Sequence, residues 1–167
     1  MKTDHLKSIL ALPVNVLVVV PIAIVWLTNS TAYSFQPASI SQIQFWVGVA
    51  AAVKGLILMA WTISDFVRIG KGTLAPWKPT QNLVVKGPYR HVRNPMISGA
   101  FLVLLAEALL LQSLPVGGWA FVFMVANAVY IPLSEEKALE KRFGEEYRRY
   151  KKNVPRWFPR LTPWFPS

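Results

Sequence analysis

Long apolar runs alternate with short polar stretches along this chain. The first run extends from about Ser8 to Thr28 and is interrupted by Pro13, Asn15 and Pro21. A second goes from about Gln44 to Phe66 around Lys54, a third from Met96 to Gln112 around Glu107, and a fourth from Val116 to Leu133 around Asn127. A helix that crosses the bilayer hydrocarbon needs roughly 20 apolar residues, with a range of about 17–25, so each run qualifies. Ser113-Leu-Pro-Val-Gly-Gly118 is too short for anything but a turn, and it predicts a helical hairpin from runs three and four. The expected fold is all-α: a single integral membrane domain over 1–167, built as a bundle of four transmembrane helices (8–28, 44–66, 96–112, 116–133). A cytoplasmic loop over 67–95 and a C-terminal cytoplasmic amphipathic helix with its tail over 134–167 complete it.

The distribution of charge sets the orientation. No Lys or Arg lies between Asn29 and Ile43, and none lies in the hairpin turn. Every basic residue except Lys54 falls before the first run, between the second and third, or after the fourth. With four spans those segments share one face, which the excess of positive charge makes cytoplasmic, and both termini are expected there. Lys2 and Lys7 ahead of an apolar stretch also suggest a secretory leader, but the stretch exceeds the usual ~7–15-residue apolar core of one. A retained first helix is the expectation.

Composition agrees with this picture. A mean hydropathy of +0.36 beside a formal charge of +10 suits a chain whose apolar residues face lipid and whose basic residues sit at one headgroup layer. Basic charge can also serve nucleic acid, but that reading leaves the apolar runs unexplained, so no nucleic-acid partner is expected. The absence of cysteine excludes disulfides and thiolate metal sites, and His5 and His91 lie far apart, so no metal is expected.

Two ionisable residues fall at depth. Lys54 and Glu107 each lie about ten residues into a span, near the mid-membrane at 1.5 Å per residue. Isolated there, each costs about 2.5–3.5 kcal/mol or more, so a Lys54–Glu107 pair facing the bundle interior is expected. Such a pair is also the basis of an alternative function, a small four-helix transporter using Glu107 and Lys54.

The cytoplasmic segments carry the chemistry. Gly87-Pro88 predicts a turn, and Asn94-Pro95 a helix start, because Pro suits the first helical turn. Arg90, His91 and Arg93 then crowd a helix N-terminus, where free N–H groups favour an anion. After the fourth run, Ser134 is expected to cap a new helix with Glu135 and Glu136 in its first turn. Leu139, Phe143, Tyr147 and Tyr150 recur at helical spacing, predicting an amphipathic helix against the membrane or the inner loop. A tail rich in proline and aromatics, Val154-Pro-Arg-Trp-Phe-Pro159 and Trp164-Phe-Pro166, suits the membrane interface.

In order, Gly87-Pro-Tyr-Arg-His-Val-Arg-Asn-Pro-Met96, a helical hairpin, Glu135-Glu136, Phe143-Gly-Glu-Glu-Tyr-Arg-Arg-Tyr150 and Val154-Pro-Arg156 closely resemble one family. It is the isoprenylcysteine carboxyl methyltransferase and phospholipid methyltransferase superfamily of membrane enzymes, and the resemblance covers about Gly72 to Pro159. It implies S-adenosylmethionine-dependent methyl transfer to a lipid-borne or lipophilic small-molecule acceptor at the cytoplasmic interface. By position, Tyr89, His91, Arg93, Asn94, Pro95 and Gly99 would shape the cofactor pocket from one side, and Glu135 and Glu136 would close it from the other. Arg93, Glu136 and His91 are the implied catalytic residues. Asn94 stands where many members have His, and Ile97 where isoprenylcysteine enzymes usually have Tyr. Those departures bear on a prenyl-cysteine substrate more than on methyl transfer.

Overall fold

The computed structural model describes residues 13–70 and 81–166, and every regular element among them is helical. Helix α1, Asn15–Thr28, opens with a π-helical turn at Asn15–Val19; α2 is Ile43–Arg68 and α3 Pro95–Leu110. Helix α4, Leu114–Tyr130, continues through a π-helical turn, Ile131–Glu135, into α5, Glu136–Asn153. The expected spans and these helices agree to within a few residues. The start of the first span and residues 71–80 of the inner loop lie outside the described residues. Ile43–Arg68 and the joined Leu114–Asn153 helix are each long and apolar enough to cross a membrane. Large apolar side chains such as Trp26, Ile43, Leu56 and Phe121 are exposed along the helices. Apolar exposure on that scale marks a surface made to be covered.

The chain divides into two compact units, one of Met1–Ile57 with Gly99–Val125 and one of Leu58–Ser98 with Ala126–Ser167. In the first, small residues bring helices together: a Cβ placed on Gly55 would lie 2.7 Å from the Gly99 carbonyl oxygen, and one on Gly48 2.9 Å from Leu110. Close backbone approach through small residues is the usual means of joining helices in lipid, where burial alone supplies no drive. Trp119 Nε1 donates to the Val16 carbonyl at 3.0 Å, tying α4 to α1.

The hairpin turn lies earlier than the sequence suggests. Gln112 adopts φ 46°, Gln112 N–H bonds the Leu109 carbonyl, and Ser113 N–H bonds the Ala108 carbonyl at 3.0 Å. That is a Schellman closure with Gln in the position usually given to Gly. The Ser113 hydroxyl then accepts from Val116 N–H and caps α4, so Pro115, Gly117 and Gly118 all lie within the helix. Proline so near a helix start forfeits no bond.

In the second unit, α5 packs the predicted face inward. Tyr147, Tyr150 and Val154 form a core against Leu83, Val85, Leu139, Phe143 and Trp164, so the helix covers the inner loop. Gly144, at φ 54° and ψ −124°, breaks the helix mid-way, a conformation strained for any L side chain. Ser134 does not cap α5. It sits inside the π turn, which absorbs Pro132 and its missing N–H without ending the helix.

Gly55→Ala forces α2 and α3 apart, and overpacking of this kind costs about 1–3 kcal/mol. Its thermal midpoint in detergent should fall by several degrees. Gly118→Ala, which meets nothing within 4 Å, should leave the midpoint where it is or raise it slightly.

Candidate functional site

The loop before α3 is shaped by Gly87, whose φ of +52° starts the 3₁₀ turn Gly87–Arg90. The Cβ position of Gly87 is already crowded, 2.8 Å from Trp61 Nε1 and 2.9 Å from Asp65 Oδ2, so only glycine fits. Beyond the turn, α3 starts at Pro95 as expected, with Ser98 bonding back to the Asn94 carbonyl.

The C-terminal tail runs back along this loop. Arg93 N–H donates to the Pro155 carbonyl at 2.9 Å, Arg160 N–H to His91 at 3.0 Å, and Trp164 N–H to Arg90 at 3.0 Å. Asn94 Nδ2 reaches the Arg156 carbonyl at 3.3 Å, and the Tyr150 hydroxyl donates to the Tyr89 carbonyl at 2.8 Å. Phe165 lies under the Arg90 guanidinium, 4.4 Å from its ring centroid. His91 Nδ1 lies 2.8 Å from the Arg160 carbonyl oxygen. A carbonyl only accepts, so Nδ1 donates its proton there, and the neutral tautomer that this bond favours has Nε2 as its acceptor.

Glu136 joins loop, helix and tail. Its carboxylate takes Arg93 Nη1 at 2.9 Å, Arg156 through Nε at 2.6 Å and Nη2 at 3.1 Å, and Lys151 at 3.3 Å. Burial alone would raise its pKa, but the hydrogen bond from Arg156 and the charges of Arg93 and Arg156 outweigh it and hold the carboxyl below the usual range. Glu135 is the opposite case. It is exposed and forms no ion pair among the described residues, yet crowding by protein, with the charge of Glu136, pushes its carboxyl up. The buried Tyr89 phenol is pushed well above its ordinary range by burial and then by the charges of Glu135 and Asp65. Burial, assisted by Glu136, pushes Tyr147 up to about 12.

The sequence-predicted residues Tyr89, His91, Arg93, Asn94, Pro95, Glu135 and Glu136 therefore fall in one unit, and Gly99 falls in the other, where its carbonyl meets Gly55. The expected Lys54–Glu107 pair is not formed. Lys54 is exposed on the same stretch of α2 as Val53, Leu56 and Ile57, while Glu107 Oε2 is buried without a hydrogen-bond partner among the described residues. Lysine can carry its charge outward on an apolar stem, and the transporter alternative loses the paired site it was built on. Arg156, Lys151, Asp65 and Trp61 were not legible as site residues. Asp65 carries one signal, an acid in the last turn of an apolar helix, where the dipole disfavours it.

A cavity of about 340 Å³ opens beside the turn, lined by Trp61, Gly87, Pro88, Arg90, His91 and Pro163. An indole, a guanidinium, an imidazole and the Asp65 carboxylate beside Gly87 can together hold a polar, partly cationic ligand.

Glu136→Gln leaves Arg93 and Arg156 without their counter-charge, and breaking a buried pair in this way costs about 3 kcal/mol. Denaturant or thermal unfolding in detergent measures the loss. Because the carboxyl pKa of Glu136 is depressed on folding, its contribution is complete at neutral pH and lost as pH falls through the folded value. The wild-type midpoint should therefore drop below about pH 4, and the drop should be shallower in Glu136→Gln.

Comparison with known proteins identifies the family. The family model for phospholipid methyltransferase matches residues 43–146. The methanethiol S-methyltransferase of Pseudomonas deceptionensis is 35% identical over 127 residues, an alignment covering 70% of this chain and 44% of that protein. The chain thus spans less than half the length of that relative. No solved structure matches it significantly. With α2, α3, α4 and the first half of α5 inside the matched region, the chain belongs to the phospholipid methyltransferase family.

Proposed function

We propose that this chain is an integral membrane enzyme that transfers a methyl group from S-adenosylmethionine to a small lipophilic acceptor at the cytoplasmic face. The observation that carries this is the Glu136 junction. It fixes the loop before α3, the helix after α4 and the tail in one cluster, while leaving Glu135 unpaired beside Tyr89. In this reading α1 to α4 span the membrane, with the basic segments and both termini on the cytoplasmic side.

The residues suit that donor. S-adenosylmethionine supplies an electrophilic methyl on a sulfonium and carries an ammonium, a carboxylate and ribose hydroxyls. Glu135, the exposed acid of the pair, can accept from ribose hydroxyls, while Glu136 is neutralised and acts through the frame that it holds. Arg93, committed to Glu136, is likewise a positioning residue rather than a direct anion ligand.

The methyl acceptor we favour is a small thiol, since the relative named above acts on methanethiol. A thiol or an amine must lose a proton as its lone pair attacks, whereas a carboxylate needs no base. His91 is held with Nε2 free to take that proton. Alignment of donor and acceptor provides most of the remaining acceleration.

Purified protein in detergent should bind S-adenosylmethionine, and Glu135→Ala, Glu136→Ala and Arg93→Ala should each weaken binding. Wild-type protein that binds neither this donor nor its demethylated product ends the reading. His91→Gln, whose amide can still donate to Arg160, should keep donor affinity but lose roughly 10²–10⁴ in the rate of labelled methyl transfer to methanethiol.

A further inference from the structure

Asp65 lies at the end of α2, beside the cavity but outside every motif discussed above. Its position has three costs. The carboxylate stands in the last turn of a helix, where unpaired carbonyls repel an anion. Oδ2 is buried, and it has no hydrogen-bond partner among the described residues. It is also pressed against the backbone at Gly87, sharing that approach with the Trp61 indole nitrogen. A stable fold gains nothing from such a group, and an uncharged isostere there would remove the repulsion from the helix end.

Arg90, which lines the cavity, repeats the pattern with opposite sign. Its Nε is buried without a hydrogen-bond partner, and the guanidinium rests on the face of Phe165. No ion pair joins Asp65 to Arg90 among the described residues. A cavity flanked by an unmatched anion and an unmatched cation that do not neutralise each other is complementary to a zwitterion. Trp61, exposed on the cavity wall, adds an aromatic face that favours a neighbouring cation.

Resting on the methyl-donor reading above, we infer that Asp65 and Arg90 hold the amino-acid end of S-adenosylmethionine, Asp65 taking the α-ammonium and Arg90 the α-carboxylate. Glu135, whose charge also bears on the Tyr89 phenol, is left for the ribose.

The test uses full-length protein in detergent and three ligands: S-adenosylmethionine, S-adenosylhomocysteine and 5′-methylthioadenosine, which keeps the nucleoside and sulfur but lacks the amino acid. Asp65→Asn should weaken the first two by at least about tenfold, the loss expected when a hydrogen bond to a charged group is removed. It should leave 5′-methylthioadenosine unchanged, which also shows that the variant is folded. Asp65→Glu should recover part of the affinity for the amino-acid-bearing pair. Unaltered S-adenosylmethionine affinity in Asp65→Asn overturns the assignment, and so does an equal loss for all three ligands. Wild-type protein that binds none of them instead removes the donor reading itself.

Discussion

The unit formed by the loop before α3, α5 and the tail depends on one buried carboxylate. Glu136 is the place where the loop before α3, the helix after α4 and the C-terminal tail are joined, through Arg93, Lys151 and Arg156. Each contact is a charge-assisted bond in a site with little water, and the Arg156 contact is bidentate, so it fixes geometry as well as proximity. A carboxylate in that setting cannot be replaced by a neutral group without leaving cations stranded. The backbone bonds between tail and loop, from Arg93, Arg160 and Trp164, extend this junction along the two segments.

That commitment divides the labour among the acids. Adjacent in sequence, Glu135 and Glu136 differ completely in environment: one is exposed and pushed toward protonation, the other is buried and held ionised. The π turn at Ile131–Glu135 is what sets their phase. By accommodating Pro132 inside a continuous helix, it carries the direction of α4 into α5 and presents one acid to the junction and the other to the surface. Asp65, on α2, is the other acid whose charge bears on the Tyr89 phenol.

In the other unit, close packing takes the place of charge. Gly48 and Gly55 bring α2 against α3, and the Gln112–Ser113 closure folds α3 onto α4. Exposed apolar side chains cover the remaining helix surfaces. Helices that meet through small residues leave their large ones outward, a pattern that is sensible in lipid and costly in water.

Much of this was determined by the sequence alone. Apolar runs of sufficient length fix helices at 43–68, 95–110 and 114–130, because a backbone in apolar surroundings must satisfy its own hydrogen bonds. Asn94-Pro95 marks the start of α3, and the spacing of Tyr147 and Tyr150 marks the buried face of α5, since both depend on local geometry. The loop motif and the acid pair could be read from order and spacing. Only the tertiary structure decided which acid is paired. Nothing local distinguishes Glu135 from Glu136; the difference comes from Arg93 and Arg156, brought in from 43 and 20 residues away. It also decided that Lys54 and Glu107 stay apart, because depth along a helix is readable from residue number while the facing direction depends on what packs alongside. Asp65 became visible for the same reason. Its chemistry comes from Gly87, Trp61 and Tyr89, neighbours that a linear chain does not place together.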